Sequence, residues 1–489
     1  MKYLFLILIA TVVINSAVSY STVKTDDAYI YYSYVRNITT GNGWVFNPGE
    51  WINACTSALY PIALSVIHLV TPWIEIPVMA HVFCFCCLFV ACMFLFLMFR
   101  KSSMRFTVPM LFAANPLLHS GIGMETFLMM ACATGTLYFY GEKKQKLTAT
   151  FSALTMLARP DMLVFVGLLY GYDVFIKKNL PKISNVLLLV LPMTAWTVFA
   201  WLYFGNPLPT TLAAKMGQAS VPGYGHFIDG FNNVPYYVTS FLMYSMWTIT
   251  LVFAVIVIAF RKKIQFQFPV LMIVAWSVLH TIIYAFVLRT IDFPWYYSYL
   301  ALPIAVIVGT GIDFVFISMK RVQVYGLTVN VSIFVAVVLA AFCIPSEVGK
   351  NIRATDQYWK YQMYKNTAEY LNKIPNEKYS LMGDTGTYKK RVGCCEIGIL
   401  RYFLVDARIV DGIGLVFFAQ TIHIKNKNYN KWLNGEMVAV DYVVVNYPAK
   451  NITEKIDEKH FEPLTRITSK RYSNDALTMH RSIALFKTR

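Results

Sequence analysis

Long apolar runs, separated by short polar connections, occupy most of residues 1–344 of this 489-residue chain. A bilayer core about 30 Å thick needs about 20 apolar residues in each crossing helix. The pattern therefore predicts a polytopic α-helical membrane protein with about 11 transmembrane helices. The predicted spans are residues 2–20, 78–99, 106–119, 124–140, 147–159, 161–176, 184–204, 238–260, 266–288, 297–319 and 324–344.

Residues 345–489 have a different pattern, with short apolar segments among many lysine, asparagine, tyrosine and glutamate residues. An amphipathic period predicts a helix over 358–371, and compact apolar runs predict buried strands over 379–382 and 442–446. Glycines between these segments mark turns. The chain is therefore predicted to have two domains, a membrane domain over 1–344 and a soluble α/β domain over 345–489.

The formal net charge of +17 matters mainly through the positions of the basic residues. In the membrane part they form short clusters between apolar runs, as in cytoplasmic loops under the positive-inside rule, so no nucleic-acid partner is expected. A cytoplasmic N-terminus puts every cluster on that face and leaves a long outer loop over 21–77. Residues 57–70, too short to span, are predicted to lie in the interface within this loop. An odd number of spans then places the C-terminal domain outside.

Two adjacent carboxylates, Asp26 and Asp27, stand where the first predicted span leaves the bilayer. Acidic residues are costly there unless they face water or a partner, so the pair is a candidate for general-base catalysis. The alternative is that the pair caps a following helix, since aspartate is a good N-cap residue. Because neighbouring side chains cannot both point at one atom, one carboxylate is expected to react while the other orients or binds substrate.

The predicted outer face also carries a few cations among its acids. Arg159 precedes Pro160 and Asp161 at a break between two short apolar segments. Lys215 and Arg289 lie near the predicted membrane plane. Each cation is a candidate ligand for a lipid phosphate through charge-assisted hydrogen bonds. The alternatives are an Arg159–Asp161 pair that only holds a turn, and snorkelling of the other two side chains.

Glu125, Asp161, Trp295 and Tyr296 are candidate substrate contacts. Glu125 begins an apolar segment. It can bind sugar hydroxyls there, or its carboxylate can simply be stabilised by the helix dipole at the helix N-terminus. Trp295 and Tyr296 end a short outer loop, and such rings either stack on sugars or form an interfacial belt. Asp161 is a candidate through its position beside Arg159.

Several segments resemble bacterial GT-C glycosyltransferases, with the nearest likeness to the mycobacterial terminal β-(1,2)-arabinofuranosyltransferase family. The matching segments are DDAYIYYSYVRN (26–37), GNGWVFNPGE (41–50), SGIGMET (120–126), ARPD (158–161), FGNPLP (204–209) with Lys215, GDTG (383–386) and DGIGL (411–415). They follow the family's order over most of the chain. The sequence departs from the family after Glu50, which leaves the sugar and the acceptor open.

The resemblance implies a GT-C membrane fold in a bacterial inner membrane. It implies a polyprenyl-phosphate sugar donor, with a pentofuranose such as arabinofuranose as one candidate sugar. The acceptor would be an envelope glycan or lipid, such as lipopolysaccharide, at the periplasmic face. Transfer would invert the anomeric centre if one carboxylate activates the acceptor for a single displacement. The resemblance slightly favours Asp26 over Asp27 as the base, and it implies substrate contacts for Tyr29 and Arg36 in the first matching segment.

No cofactor is expected to be required. A monophosphate leaving group carries less charge than a nucleotide diphosphate, so arginine and lysine side chains can balance it. If a divalent metal binds, the outer acids Asp26, Asp27 and Glu125 are its predicted site.

Two other function classes stay open. A lipid-linked sugar transporter or flippase would place polar residues along the bilayer midplane and functional groups on both faces. Here nearly all acidic residues of the membrane part lie on the predicted outer face, and no inverted repeat is visible in the sequence. A non-catalytic envelope scaffold would tolerate loss of both aspartates but not loss of residues 345–489.

Overall fold

A computed structural model gives the architecture of the chain. It describes residues 10, 13–14, 24–102, 104–218, 226–231, 240–262, 264, 266–319, 356–374, 390–394, 397–411, 442–447, 461–470 and 480–488. The helices are α1 (Asp26–Thr39), α2 (Leu59–Val70), α3 (Ile76–Met98), α4 (Met104–Ala113), α5 (Pro116–His119), α6 (Thr126–Gly141), α7 (Gln145–Ala158), α8 (Leu163–Gly171), α9 (Ile183–Phe204), α10 (Thr210–Gln218), α11 (Ser240–Ala259), α12 (Phe268–Ile282), α13 (Ala301–Met319), α14 (Asp356–Lys373) and α15 (Gly398–Phe403). Short 3₁₀ segments at Pro160–Met162 and Pro294–Leu300 precede α8 and α13, and π-helical turns at Tyr172–Ile176 and Ile283–Leu288 extend α8 and α12.

Five strands lie in the C-terminal part of the chain. They are β1 (Lys390–Cys394), β2 (Ala407–Asp411), β3 (Tyr442–Tyr447), β4 (Phe461–Lys470) and β5 (His480–Thr488), in one sheet of order β2-β1-β3-β5-β4. β1 pairs in parallel with β2 and β3, whereas β5 pairs antiparallel with β3 and β4. α14 covers the helix predicted over 358–371 and β3 the strand predicted over 442–446. The strand predicted over 379–382 lies outside the described residues.

The helices make the chain a multi-pass membrane protein. Among the described residues, four helical segments are long and apolar enough to cross a membrane: Ile76–Met98, Ile183–Phe204, Phe268–Leu288 and Pro294–Val315. Each overlaps one of the predicted spans. Several other predicted spans correspond to shorter helices, and those at 2–20 and 324–344 lie almost wholly outside the described residues. The count of 11 spans therefore stays a prediction.

Helices α6, α7 and α8 form a packed unit whose two ends carry different side chains. α6 packs against α3 and α7, and α7 packs in turn against α9. At one end, Glu125 precedes α6 while Arg159 and Asp161 lie between α7 and α8. At the other end, a tight turn joins α6 to α7, and Lys143 takes a left-handed φ of 56° in this turn. Because α6 and α7 run in opposite directions, the chain returns after α7 to the end at which α6 began, and Glu125, Arg159 and Asp161 lie at that end.

Helix α1 lies between the membrane helices and the C-terminal region. It packs against α2 and α3 on one side and against α15 on the other. The loop that follows α1 is tied to β2, because Asn47 Nδ2 donates to Ile409 O at 2.9 Å and Glu50 forms an ion pair with Arg408. Apolar residues of α1, α14, α15 and β2 share one buried cluster. The outer loop is therefore packed together with α14, α15 and β2 of the C-terminal part.

Candidate active site

The two carboxylates in the first turn of α1 meet different neighbours. Residues one apart on a helix project about 100° apart, so Asp26 and Asp27 face different directions. The Asp26 carboxylate accepts hydrogen bonds from the backbone N–H of Gly398 at 3.0 Å and of Ile399 at 2.8 Å. Asp26 therefore caps α15 and not its own helix, whose N-cap residue is Thr25.

Arg36 contacts the other end of α15. Its guanidinium donates to Tyr402 O at 2.7 Å and to Arg401 O at 3.5 Å, and it lies 5.2 Å from the centre of the Tyr402 ring. A cation at the carboxyl end of a helix and an anion at its amino end both stabilise the helix dipole. Asp26 and Arg36 thus hold α15 at its two ends.

Tyr29 lies on the same face of α1, between Asp26 and Arg36. Its ring is buried, and the centre of this ring lies 5.3 Å from the ring centre of Tyr402 and 5.8 Å from that of Tyr361. Burial raises the pKa of the Tyr29 hydroxyl far above its ordinary range, so this group is neutral at physiological pH. This face of α1 holds the C-terminal region, and substrate contacts for its residues remain a prediction.

Asp27 faces a cation instead. Its Oδ2 lies 3.3 Å from Lys215 Nζ, and 24% of the Asp27 side chain is exposed against 8% of Lys215. Lys215 Nζ also lies 4.3 Å from the centre of the Phe293 ring. Lys215 belongs to α10. The first turn of this helix is fixed because Thr210 N donates to Asn53 O at 2.8 Å. A nearly buried ammonium is thus held beside a more open carboxylate.

Arg159 joins carboxylates from two other segments. Its Nη1 donates to Glu125 Oε1 at 2.9 Å, and its Nε and Nη2 donate to the Asp161 oxygens at 2.7–3.2 Å. Nη2 lies 3.0 Å from the Tyr284 hydroxyl, which itself donates to Asp161. His280 Nε2 is 3.9 Å from Asp161 Oδ2. We call Arg159, Glu125, Asp161 and Tyr284 the Arg159 cluster; it is nearly buried, with the Arg159 side chain 11% exposed.

Glu125 keeps one acceptor open. Its Oε2 is buried and has no hydrogen-bond partner within the described segments. The backbone before it turns through Gly123, at φ 82°, and Tyr32 and Tyr60 both donate to Gly123 O, at 3.2 and 2.8 Å. A Cβ at Gly123 would overlap the Tyr32 hydroxyl, so the turn requires glycine for space as well as for its φ. The fixed turn holds the Glu125 carboxylate in its buried position, beside Arg159 and close to the Tyr31 side chain.

Tyr296 connects Asp27 with the Arg159 cluster. Its hydroxyl lies within electrostatic range of Asp27 and of the charged members of that cluster. Its ring centre is 5.8 Å from Tyr284 and 6.1 Å from Phe293. Trp295 is half-buried and stacks on Phe293 at 4.5 Å. The segment 293–296 therefore lies over both ion-pair groups.

The charges at this site nearly cancel. Asp27, Glu125 and Asp161 carry three negative charges, and Lys215 and Arg159 carry two positive ones, so the net charge is −1. The side chain of Asp27 is 24% exposed, compared with 5% for Glu125 and 15% for Asp161. Asp27 is therefore the carboxylate of this group that is most accessible to an incoming hydroxyl.

Of the predicted phosphate ligands, Arg289 is not brought into this group. It is exposed at the end of α12's π-helical extension, in a left-handed conformation with φ 48°, and it makes no ion pair with any residue that the structure describes. Sequence reasoning missed Tyr284, His280 and Phe293. Two polar rings one turn apart inside an apolar helix, at 280 and 284, were a usable signal.

No metal site emerges from the described part of the chain. Within it, no group of three or more histidine, cysteine, aspartate or glutamate side chains is arranged to hold a metal ion. Asp26 is engaged by backbone N–H groups, while Asp27 and Glu125 are paired with different cations. Both the expectation that no metal is required and the alternative site at Asp26, Asp27 and Glu125 stay predictions.

Comparisons with known proteins give the fold. No protein-family model matches the chain, and no curated protein matches its sequence. The crystal structure of ArnT from Cupriavidus metallidurans bound to undecaprenyl phosphate is similar, with TM-score 0.56 and 12% identity over 99% of this chain and 97% of ArnT. The apo structure of the same protein gives TM-score 0.58 and 11% identity over the same shares. The chain therefore shares the overall fold of these ArnT structures, and the predicted polytopic helical membrane fold is confirmed at this coarse level.

Proposed function

We propose that this chain is a membrane glycosyltransferase that moves a sugar from a polyprenyl-phosphate donor to an envelope glycan or lipid. The observation that carries the proposal is the gathering of three carboxylates and two cations from separate segments at one end of the helical unit. The fold supports it, since ArnT binds undecaprenyl phosphate in one of its crystal structures. The resemblance to arabinofuranosyltransferases adds a pentofuranose as a candidate sugar.

The reaction would be a single displacement. The acceptor oxygen forms a bond to the anomeric carbon while the bond from that carbon to the phosphate oxygen breaks. The electron pair of the broken bond leaves with the polyprenyl phosphate, and the acceptor proton passes to a carboxylate. One displacement inverts the configuration at the anomeric carbon. A positioned base of this kind contributes about 10²–10⁴-fold to the rate.

Asp27 is the proposed base, in preference to Asp26. Asp27 is partly exposed and has one ion-pair partner, whereas both oxygens of Asp26 accept backbone hydrogen bonds from α15. Lys215 is the proposed phosphate ligand, because an ammonium has three donors and this one has a single ion-pair partner within the described segments. A cation beside the departing phosphate stabilises its developing charge.

Arg159 is proposed to position the site and to contribute positive charge. Its Nε, Nη1 and Nη2 already donate to Glu125, Asp161 and Tyr284. Few of its five donors are left for a phosphate. Glu125 Oε2 is the proposed acceptor for a sugar hydroxyl, and Trp295 and Tyr296 the proposed stacking surface.

The proposal includes the placement of the protein in the cell. The acid–cation group and the C-terminal α/β domain would lie on the periplasmic side of a bacterial inner membrane. Basic loops would then face the cytoplasm, as the positive-inside rule requires. No cofactor is proposed.

Envelope glycans of a deletion strain test the proposal. The strain would carry the wild-type chain, Asp27→Asn or Asp229→Asn, at matched membrane levels, and its glycans would be compared by mass spectrometry. We expect loss of one sugar mass in the deletion and in Asp27→Asn, and full restoration by the wild type. Asp229, exposed on the predicted outer face, is the matched control and should restore fully.

Two outcomes would contradict the proposal. Full restoration by Asp27→Asn would remove the carboxylate-base mechanism. Loss of the glycan sugar together with accumulation of the lipid-linked sugar on the cytoplasmic face would favour a flippase. Purified protein that releases polyprenyl phosphate only when an acceptor is present would support transfer directly.

A further inference from the structure

A cavity with several polar and charged side chains in its wall lies at the end of the helical unit that is opposite the proposed active site. Its volume is about 230 Å³, and it is bounded by the end of α6, the start of α7, the end of α8 and the start of α9. Tyr140, Lys143, Gln145, Asp173, Lys177 and Asn185 contribute polar side chains to its wall. The 16 residues of α6 span about 24 Å, so this cavity and Glu125 lie near opposite membrane faces.

The cavity is positively charged. Its own charged residues are Lys143, Lys177 and Asp173, and Lys177 Nζ lies 3.5 Å from Asp173 and donates to the Tyr140 hydroxyl at 2.7 Å. Further exposed lysines of the two adjoining loops are Lys144, Lys146, Lys178 and Lys182. Lys177 is 46% exposed on its side chain, so its ammonium is held in place yet open to a ligand. An anion is the ligand that this charge distribution favours.

Two helix starts add to this positive potential. α7 and α9 both begin at the cavity, and neither has a side-chain hydrogen bond at its N-cap. Asn185 Nδ2 donates to Gln145 Oε1 at 3.2 Å, which joins the first turns of the two helices. Uncapped first-turn N–H groups and the helix dipoles both favour an anion. These helix ends reinforce the lysines and would not by themselves make a site.

The backbone around the cavity is held in an uncommon conformation. Lys143 and Lys178 have left-handed φ values of 56° and 55°. Among the described non-glycine residues only Arg289 shares this feature. Such conformations cost free energy and are found where a ligand or a fixed loop requires them.

An exposed apolar wall stands next to the cavity. Phe175, Ile176, Leu180 and Ile183 are 68–76% exposed, and they continue onto α9, which is a candidate span in which few residues are buried. Apolar side chains at the level of a membrane-spanning helix contact acyl chains. A free anion would contact only the charged side chains of the cavity, whereas a lipid would contact these side chains and the apolar wall.

We propose that this cavity binds the phosphate headgroup of an anionic glycerophospholipid, with Lys143 and Lys177 on the phosphate and the acyl chains against the start of α9. The glycerol hydroxyls of such a headgroup match the amides of Gln145 and Asn185. The site lies on the membrane face opposite the proposed active site and does not depend on the proposed reaction.

Native mass spectrometry of the full chain in detergent tests this proposal. Binding of dioleoylphosphatidylglycerol would be compared with binding of dioleoylphosphatidylcholine, which has the same tails and no net charge. We expect the wild type to prefer the anionic lipid. Lys143→Gln and Lys177→Gln should each weaken that binding about fivefold, and Lys143→Arg should restore it. The Lys143 variants carry the test because Lys143 has no structural ion pair within the described segments.

Lys101→Gln is the matched control. Lys101 is exposed on the same membrane face, because its neighbour Arg100 pairs with Glu142 at the end of α6 at 3.1 Å. It should leave lipid binding unchanged. Equal binding of the two lipids, or an equal loss in Lys101→Gln and Lys143→Gln, would overturn the proposal. Displacement of the lipid by inorganic phosphate in equal amount would also overturn it, since the acyl wall would then contribute nothing.

Discussion

Arg159 balances two nearly buried carboxylates with one planar side chain. Glu125 and Asp161 come from different segments, and the guanidinium fork reaches both at hydrogen-bond distance. An ammonium has three donors but lacks this planar fork, so it cannot reproduce the bidentate contact with Asp161 while it reaches Glu125. Removing one partner of a buried ion pair is costly because the remaining charge has lost both water and its counter-ion.

We expect Arg159→Gln to lower the free energy of unfolding by about 3–5 kcal/mol, because it leaves two carboxylates without their cation. Arg159→Lys should lie between this variant and the wild type, since it retains the charge but not the fork. Thermal unfolding in detergent, followed by tryptophan fluorescence, measures the order of the three proteins.

Arg100→Gln is the comparison for that series. Arg100 pairs with Glu142 at 3.1 Å, but its side chain is 52% exposed. Loss of an exposed pair costs about 1 kcal/mol or less. If Arg159→Gln proves no more destabilising than Arg100→Gln, then the Arg159 cluster does not behave as a buried ion-pair group.

The different environments of Asp26 and Asp27 mark the limit of sequence reasoning at this scale. Helix phase alone predicts that neighbouring side chains diverge. It does not predict which carboxylate meets a ligand, because the partner of Asp26 at Gly398 is 372 residues further along the chain. The slight preference for Asp26 came from a resemblance and stays a prediction.

At the scale of elements, α15 depends on its neighbours. It has six residues, too few for a helix to be stable by itself in water. Asp26 accepts hydrogen bonds from its first N–H groups, and Arg36 donates to its last carbonyls. A Cβ on Gly398 would overlap the Asp26 carbonyl oxygen, so the close approach requires glycine.

Asp26→Ala should therefore loosen α15 without removing the proposed base. Loss of an N-cap acceptor costs about 0.5–2 kcal/mol, so amide hydrogen exchange over 397–403 should accelerate by about twofold to thirtyfold. Sugar transfer should fall less than in Asp27→Asn. Hydrogen exchange read by mass spectrometry, with glycan analysis of the same strains, measures both effects.

Glu369→Gln provides the control for α15. Glu369 is 56% exposed on α14, beside α15, and pairs only loosely with Lys365 at 4.0 Å. Its exchange pattern should match the wild type. Unchanged exchange in Asp26→Ala would mean that the Asp26 carboxylate does not hold α15.

Elements with a strong local apolar pattern were predictable, the short strand β3 among them, and elements that depend on distant contacts were not. α3, α9 and α12 follow from length and hydropathy, which are local properties of the sequence. The π-helical turns at Tyr172–Ile176 and Ile283–Leu288, and the docking of α15, depend on distant contacts that no local pattern encodes. The site follows the same division: its acids were found by position, while Tyr284 and Phe293 became evident only from packing.

At the scale of the whole molecule, charge is divided between the two ends of the helical unit. Glu125, Arg159 and Asp161 lie at one end of α6–α8, and Lys143 and Lys177 lie at the other. Trp44 N donates a hydrogen bond to the hydroxyl of Tyr203, near the end of α9, at 3.0 Å, which places the loop after α1 on the acidic end. The basic clusters of the sequence predicted this division, and the packing of α6–α8 places the two groups at opposite ends. Which end faces the cytoplasm stays a prediction.

Cysteine labelling in intact cells tests that orientation. Asn42→Cys lies in the loop after α1 and Lys143→Cys in the turn between α6 and α7, and both native residues are exposed. We expect a membrane-impermeant maleimide to label Asn42→Cys in intact spheroplasts, and Lys143→Cys only after permeabilisation, because basic loops are retained in the cytoplasm. The unsubstituted chain gives the background from its native cysteines. The reverse order of labelling would place the acid–cation group in the cytoplasm, and a periplasmic transfer reaction would then be excluded.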